Sequence, residues 1–400
     1  MPTSSAEQMR QWRGPALLSY GFRPFFLFGA LWAGLAMVLW VLSLADVLTL
    51  PSAFDPVSWH AHAFLFGYLP AIVAGFMLTA VPNWTGRLPV VGIPLGVLFT
   101  LWLLGRLVVL FSGHLPALLV ALVDLSALVA LATVMAREII AGKNWRNLIV
   151  LAMLALLILG NAVFHFEAAR EDYPAQGFGL RIGLAAGVLM ISVIGGRIVP
   201  SFTRNWLVKS GSNIRPAPPM QKFDKLTLLY SVLTLVFWVA QPDFWISGWC
   251  LIAFAALHFV RLSRWGGIHT LSDPLLWVLH LAYGFIPLGA LALGVAILWL
   301  DILLPSAAQH VWMAGAISLM TLAVMARATL GHTGNALTAG PGTVAMFLCI
   351  PVSVLARLAA GIWPDAADHL YHIAGASWIL GFFGFVAIYG TLLLNKKLAR

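Results

Sequence analysis

Hydrophobic positions in this chain do not alternate or recur on one helical face. They run unbroken for roughly 20 residues at a time, the length that carries an α-helix through the hydrocarbon of a bilayer, and then stop at a short polar break. Twelve such runs are predicted, over 24–45, 57–81, 89–111, 115–141, 146–168, 177–200, 225–241, 243–263, 273–299, 304–328, 341–361 and 367–393. The pattern predicts an all-α, polytopic membrane protein of about twelve transmembrane helices, with no room left for a separate soluble domain.

Most of the breaks are short. The one sizeable polar stretch is 204–225, which contains SGSNIRPAPPMQKFDK, with Gly, Ser and Pro gathered as in a flexible linker. A single transmembrane domain over 1–400 is expected, with helices one to six in 1–203, a cytoplasmic linker at 204–225 and helices seven to twelve in 226–400.

Composition strengthens this reading. Hydrophobic residues make up 61% of the chain and charged residues 9%, against about 25% charged in a soluble domain. The net charge of +9 would suggest nucleic acid in a soluble protein. Here the basic residues gather at alternate ends of the spans, as the positive-inside rule requires, so no nucleic-acid partner is implied. With the N-terminus inside, all of the 23 Lys and Arg except Arg106, Arg170, Arg181 and Arg357 fall on or near cytoplasmic ends. Both termini are therefore expected in the cytoplasm. The opening MPTSSAEQMRQWRGPALLSYGFRPFF lacks the short apolar core and small-residue cleavage site of a removable signal. Cys250 and Cys349 lie in apolar spans and form no CxxC pair, so neither a disulfide framework nor a thiolate metal site is inferred.

The chain also resembles itself. An offset of 248 residues lays the second span on HVWMAGAISLMTLAVMARATLGHTG, pairing His62 with His310, Gly67 with Gly315, Met77 with Met325, Ala80 with Ala328 and Thr85-Gly86 with Thr333-Gly334. AAGVLMISVIGGRIVPSFT aligns more weakly with the same region, pairing Leu189-Met190 with Leu319-Met320, Arg197 with Arg327 and Thr203 with Thr333. These are helices two, six and ten, which would make three blocks of four helices.

Candidate chemistry rests on the histidines. On the inside-N topology His60, His62, His165, His310, His369 and His372 lie at periplasmic ends of spans. His258, His280 and His332 lie on the cytoplasmic side. Ionisable groups within spans normally face the bundle interior and mark a path or a site. Imidazole is a common axial ligand of haem iron and a frequent ligand of copper and zinc. His62 and His310, at matching height with Gly67 and Gly315 five residues on, are the expected axial ligands of a b-type haem. Residues two apart on a helix are about 200° apart, so His60 and His62 cannot both aim at one centre from a regular helix, unless the helix starts between them. His60, His165 and His372 would then form a second periplasmic metal or substrate site. His280 with His332 would offer a cytoplasmic-side haem site, giving one or two haems. Arg197 and Arg327 would hold haem propionates or an anion, snorkelling being the plainer role. His114, His269 and His369 read as interfacial anchors. Trp59 and Trp84 read as belt residues, and GLRIGLAAG (179–187) as a helix-packing surface.

Several motifs carry a family resemblance: GFRPFF (21–26), WHAHAFLFGY (59–68), GFMLTAVPNWTGR (75–87), GGRIVPSFT (195–203) and HVWMAGAISLMTLAVMARATLGHTG (310–334). They resemble the NnrS family of bacterial membrane proteins. The resemblance implies a twelve-helix inner-membrane protein containing haem and copper and associated with denitrification and nitric oxide tolerance. The three-by-four arrangement is also similar to the catalytic subunit of haem–copper oxidases. That family needs a copper histidine on helix six, a His-His pair on helix seven and two histidines on helix ten. Helices six and seven here have none and helix ten has His310 alone at its periplasmic end, which argues against an oxygen reductase.

The leading expectation is a haem-binding protein that binds or converts nitric oxide, a haem-dependent redox enzyme in the second case, supplied by an unidentified electron donor. The alternatives are a secondary transporter with His and Arg as relay or substrate groups, for which acidic residues in the spans are scarce and Asp124 is the main example, and a purely structural role.

Overall fold

The computed structural model describes residues 12–85 and 89–395, with side chains omitted for 81–85. Trp84, the Thr85-Gly86 match and the terminal basic residues Lys396, Lys397 and Arg400 lie outside the described side chains or residues. Among the described residues the chain is helical throughout, with no strand.

Among the described residues, twelve helices are long and apolar enough to cross a membrane. They are α1 (Phe22–Leu44), α2 (Pro56–Ala80), α3 (Ile93–Leu110), α4 (Ala117–Ala141), α5 (Trp145–Ala169), α6 (Phe178–Lys209), α7 (Lys222–Ala240), α8 (Trp245–Ser263), α9 (Pro274–Leu298), α10 (Pro305–His332), α11 (Pro341–Ile362) and α12 (Pro364–Leu394). Their starts are written in local chemistry. Proline occupies the first turn of α2, α9, α10 and α11, where its missing N–H costs nothing. Asp55 caps α2 by accepting from the Val57 and Ser58 amides at 3.0 Å each. Asp224 and Gln221 form a reciprocal capping box at α7.

Three helices differ from the rest. α2, α6 and α10 bury 78%, 78% and 83% of their apolar windows, whereas the other nine bury between 28% and 61%. The same three carry a π-helical stretch, at Ala63–Tyr68, Ile191–Gly195 and Val311–Ser318. They are the helices that the internal sequence similarity relates. An extra residue per turn frees backbone carbonyls from the helical ladder. In lipid each freed carbonyl must find another donor, which explains why these stretches sit in the buried helices.

The chain forms two compact units. One comprises Met1–Ala186, Ala328–Asn335 and Phe385–Arg400, and the other Gly187–Arg327 and Ala336–Gly384. In the first unit, Gly179 and Gly183 of α6 meet α5 at Gly160. A Cβ on Gly160 would stand 2.8 Å from the Gly183 nitrogen, so the small residues of GLRIGLAAG bring two backbones together. Arg23 of α1 closes the chain end by donating to the carbonyls of Leu392, Leu393 and Asn395. In the second unit, α8 and α9 approach as closely at Gly248 and Gly294, where a Cβ on Gly294 would lie 2.8 Å from the Gly248 carbonyl oxygen.

Candidate metal centre

The first unit holds a buried polar cluster built from four helices. His62 ends the regular turn of α2, just before the π stretch. Arg106 comes from α3, Asp124 from α4, and Asn161 and His165, one turn apart on one face, from α5. All five are buried: His62 is 1% exposed, Arg106 3%, Asp124 2%, Asn161 0% and His165 6%.

Asp124 is the hub. Its Oδ2 lies 3.1 Å from His62 Nε2, 3.0 Å from His165 Nε2 and 2.8 Å from Asn161 Nδ2, which donates to it. Its Oδ1 accepts from Arg106 Nη2. Asn161 Oδ1 also lies 3.0 Å from His62 Nε2. With a carboxylate able only to accept, the mutually consistent assignment places the hydrogens of both imidazoles on Nε2. Burial of an isolated carboxylate is prohibitive. The guanidinium neutralises this one, and its other arm donates from Nη1 to the Phe66 carbonyl, inside the π stretch, at 2.8 Å. Arg106 also lies over the rings of Trp32 and Trp102, at 6.0 and 5.8 Å.

Two glycines make the approach possible. A Cβ on Gly105 would stand 2.8 Å from Asp124 Oδ1, and one on Gly67 would stand 2.9 Å from Arg106 Nη1. Phe54, Phe66 and Phe164 pack around the His62 ring at centroid distances of 5.4, 5.4 and 5.4 Å, with Phe54 also 5.5 Å from His165.

The donor set suits a bare ion. One ligand atom each from His62, Asp124 and His165 lie within 4.8 Å of one another. Two imidazoles and one carboxylate are a set used by iron, copper and zinc. A metal would replace the Nε2 hydrogens, so each ring would carry its proton on Nδ1. Arg106 and Asn161 already hold the carboxylate in place, the role that outer groups play around metal ligands. A porphyrin does not fit His62 in this arrangement. Its Nε2 faces Asp124 and Asn161, and phenylalanines close the space a macrocycle would need.

The other expected site residues are elsewhere. His60 points away from His62 and stacks on Trp40 at 4.6 Å, as the 200° separation requires. His310 belongs to the second unit, where its Nδ1 lies 2.7 Å from the Ser306 carbonyl oxygen. His372 is exposed, 3.8 Å from Asp368. His280 Nε2 bonds Thr203 Oγ1 at 2.8 Å, while its Nδ1 has no partner. His332 lies in the first unit against the rings of Tyr20 and Phe22, at 5.3 and 5.5 Å. Arg197 is exposed, and Arg327 lies over Phe202 at 4.4 Å. Of the residues expected to bind metal, the structure brings together His62 and His165. It adds Arg106, Asp124 and Asn161. Arg106 and Asp124 were signalled as an isolated cation and an isolated acid inside apolar spans, and such groups usually pair. Asn161 gave no signal.

Fold and cluster together define a polytopic helical membrane protein with a buried His–Asp–His site. The family model described as NnrS protein matches residues 16–397, nearly the whole chain, and the protein belongs to the NnrS family. No curated protein matches the chain.

Proposed function

We propose that this protein binds a transition-metal ion at His62, Asp124 and His165 and handles nitric oxide there, in a bacterial inner membrane with both termini in the cytoplasm. One observation carries the reading: three metal-type ligand atoms gathered within 4.8 Å in a buried site of a chain that belongs to the NnrS family. Copper or ferrous iron bound there would supply a centre that takes nitric oxide as a ligand, whereas zinc would not.

The protein's own groups account for the rest. Arg106 neutralises Asp124, so the carboxylate remains ionised in an apolar setting. Asn161 presents both an acceptor and a donor to the ligand atoms. The phenylalanines exclude water while admitting a small, weakly polar gas, which reaches the site through lipid without a polar channel.

A second reading, proton-coupled transport, draws on the same cluster, since Asp124 touches two buried imidazoles near the ends of their spans. One experiment separates the two. Protein purified in mild detergent from cells supplied with copper, iron and haem is assayed for metal content and by absorption and electron paramagnetic resonance, before and after nitric oxide. About one bound ion, lost in His165→Ala and carrying a nitrosyl signal, supports the proposal. Folded protein without metal, combined with proton-coupled flux in vesicles, would replace it with the transport reading. The same spectra report haem, and bands that survive His62→Ala would place any haem on other histidines.

A further inference from the structure

The second unit contains its own buried cluster, of different chemistry. Arg261 of α8 donates from Nε to Asp224 Oδ1 of α7 at 2.8 Å and from Nη1 to the Ser192 carbonyl of α6 at 2.8 Å. The same Nη1 donates to the Tyr283 hydroxyl of α9 at 2.7 Å. Tyr283 and His258 are 2.9 Å apart, oxygen to Nδ1, and His258 Nε2 is 2.8 Å from Ser231 Oγ. Exposure is 0% for Tyr283, His258, Arg261 and Ser231.

These bonds fix one direction. Ser231 donates its hydrogen to the Thr227 carbonyl at 2.7 Å, so it accepts from His258 Nε2–H. Nδ1 is then the bare nitrogen, and it accepts from the Tyr283 hydroxyl. The phenol oxygen, having given its hydrogen, accepts from Arg261. Each of these bonds has one consistent direction, and Arg261 Nη2 is the group of the cluster left buried without a hydrogen-bond partner. Asp224 offsets Arg261, so the cluster holds no net charge.

Rings continue from this pair. Trp265 meets Tyr283 at 4.5 Å, Phe254 stacks on His258 at 4.3 Å, and Trp312 follows Phe254 at 6.4 Å and Trp238 follows Trp312 at 5.8 Å. All of these steps are close aromatic contacts, and Trp and Tyr are the side chains most readily oxidised by one electron.

We propose that Tyr283 is a redox-active tyrosine that relays single electrons along this aromatic chain. A high-potential trivalent metal complex, acting as outer-sphere one-electron oxidant, takes an electron from the phenol, and the O–H proton moves to His258 Nδ1. The products are a neutral tyrosyl radical and an imidazolium, with the oxidant reduced by one electron. Re-reduction returns the proton. A phenol without a base beside it would have to form a buried radical cation, which the 2.9 Å hydrogen bond avoids. The inference does not depend on a metal in the first unit.

The test uses full-length protein in detergent, oxidised by photogenerated tris(bipyridine)ruthenium(III) and frozen for electron paramagnetic resonance. With ¹⁵N-histidine labelling, the wild-type tyrosyl radical shows a coupling to imidazole nitrogen. Tyr283→Phe, which leaves six of the seven tyrosines, lowers that ¹⁵N-coupled signal at least tenfold. His258→Phe slows radical formation at least tenfold. A radical of equal yield and coupling in folded Tyr283→Phe overturns the proposal, as does an unchanged rate in folded His258→Phe. Should either variant fail to fold, the wild type alone decides, because a tyrosyl radical without ¹⁵N coupling, or no tyrosyl radical, also overturns it.

Discussion

Replacing Asp124 by Asn keeps its shape and removes its charge, which isolates the electrostatic part of the cluster. Arg106 would then be a cation at 3% exposure whose carboxylate partner has gone. Removing one partner of a buried ion pair costs about 3–5 kcal/mol, because the remaining charge is uncompensated. Arg106→Met strands the opposite charge. Asp124 keeps the Asn161 amide at 2.8 Å and imidazoles at 3.0 and 3.1 Å but loses its cation, so this loss is also about 3–5 kcal/mol. If the two substitutions acted independently, the double variant would lose about 6–10 kcal/mol, the sum of these ranges. Coupling through the pair predicts instead that Arg106→Met with Asp124→Asn loses no more than about 3 kcal/mol, since the second change removes the stranded charge. Unfolding in mixed micelles, followed by circular dichroism across a denaturant series, measures all four corners of the cycle. Additive losses would refute the assignment of Arg106 and Asp124 as one energetic unit.

Three further outcomes follow from the same geometry. Gly105→Ala places a methyl group 2.8 Å from Asp124 Oδ1, and this overpacking lowers stability by about 1–3 kcal/mol and reduces metal occupancy, read by unfolding and elemental analysis. His60→Ala leaves metal content at the wild-type level, because His60 faces Trp40, whereas His165→Ala abolishes it. Asp55→Ala strips the cap from two amides at the start of α2, costs about 0.5–2 kcal/mol, and is visible as faster hydrogen exchange in 57–59.

Much of the architecture was legible because lipid leaves few choices. Runs of apolar residues must become helices, and the twelve predicted runs overlap the twelve observed ones within a few residues at most ends. Helix α6 shows the main departure, running on to Lys209 through Arg204 because its last turns are polar and carry no apolar signal. Histidines were the wrong unit for reading the site as a whole. His62 and His165 belong to it, but the hub is Asp124, and a hub is found by asking which charges inside spans need each other. Sequence gives the positions of Arg106 and Asp124 but not the helix neighbours that join them. Asn161 is a neutral residue in an apolar run and became meaningful only when α5 was placed beside α4. The expected depth match of His62 and His310 rests on related sequence positions in two helices, and the ligand environment of each is decided by the surrounding helices of its own unit.

The two units solve one problem with one device. Arg106 joins a π-stretch carbonyl, Phe66 O, to Asp124, and Arg261 joins another, Ser192 O, to Asp224. In α10 the π stretch is closed differently, with Ser318 Oγ donating to the Met313 carbonyl at 2.9 Å. A guanidinium presents five donors on a rigid plane, so it can satisfy a carbonyl and a carboxylate at once, whereas an ammonium on a flexible stem is a compact point donor. Arg106→Lys therefore keeps the charge and still breaks the bridge. The expected loss is about 1–3 kcal/mol, from one buried group left without its hydrogen bond, with local exchange rising at the α2 π stretch rather than throughout the helix. If Arg106→Lys were as stable as wild type, with α2 exchange unchanged, charge alone would suffice and the bridging role of the guanidinium would be wrong.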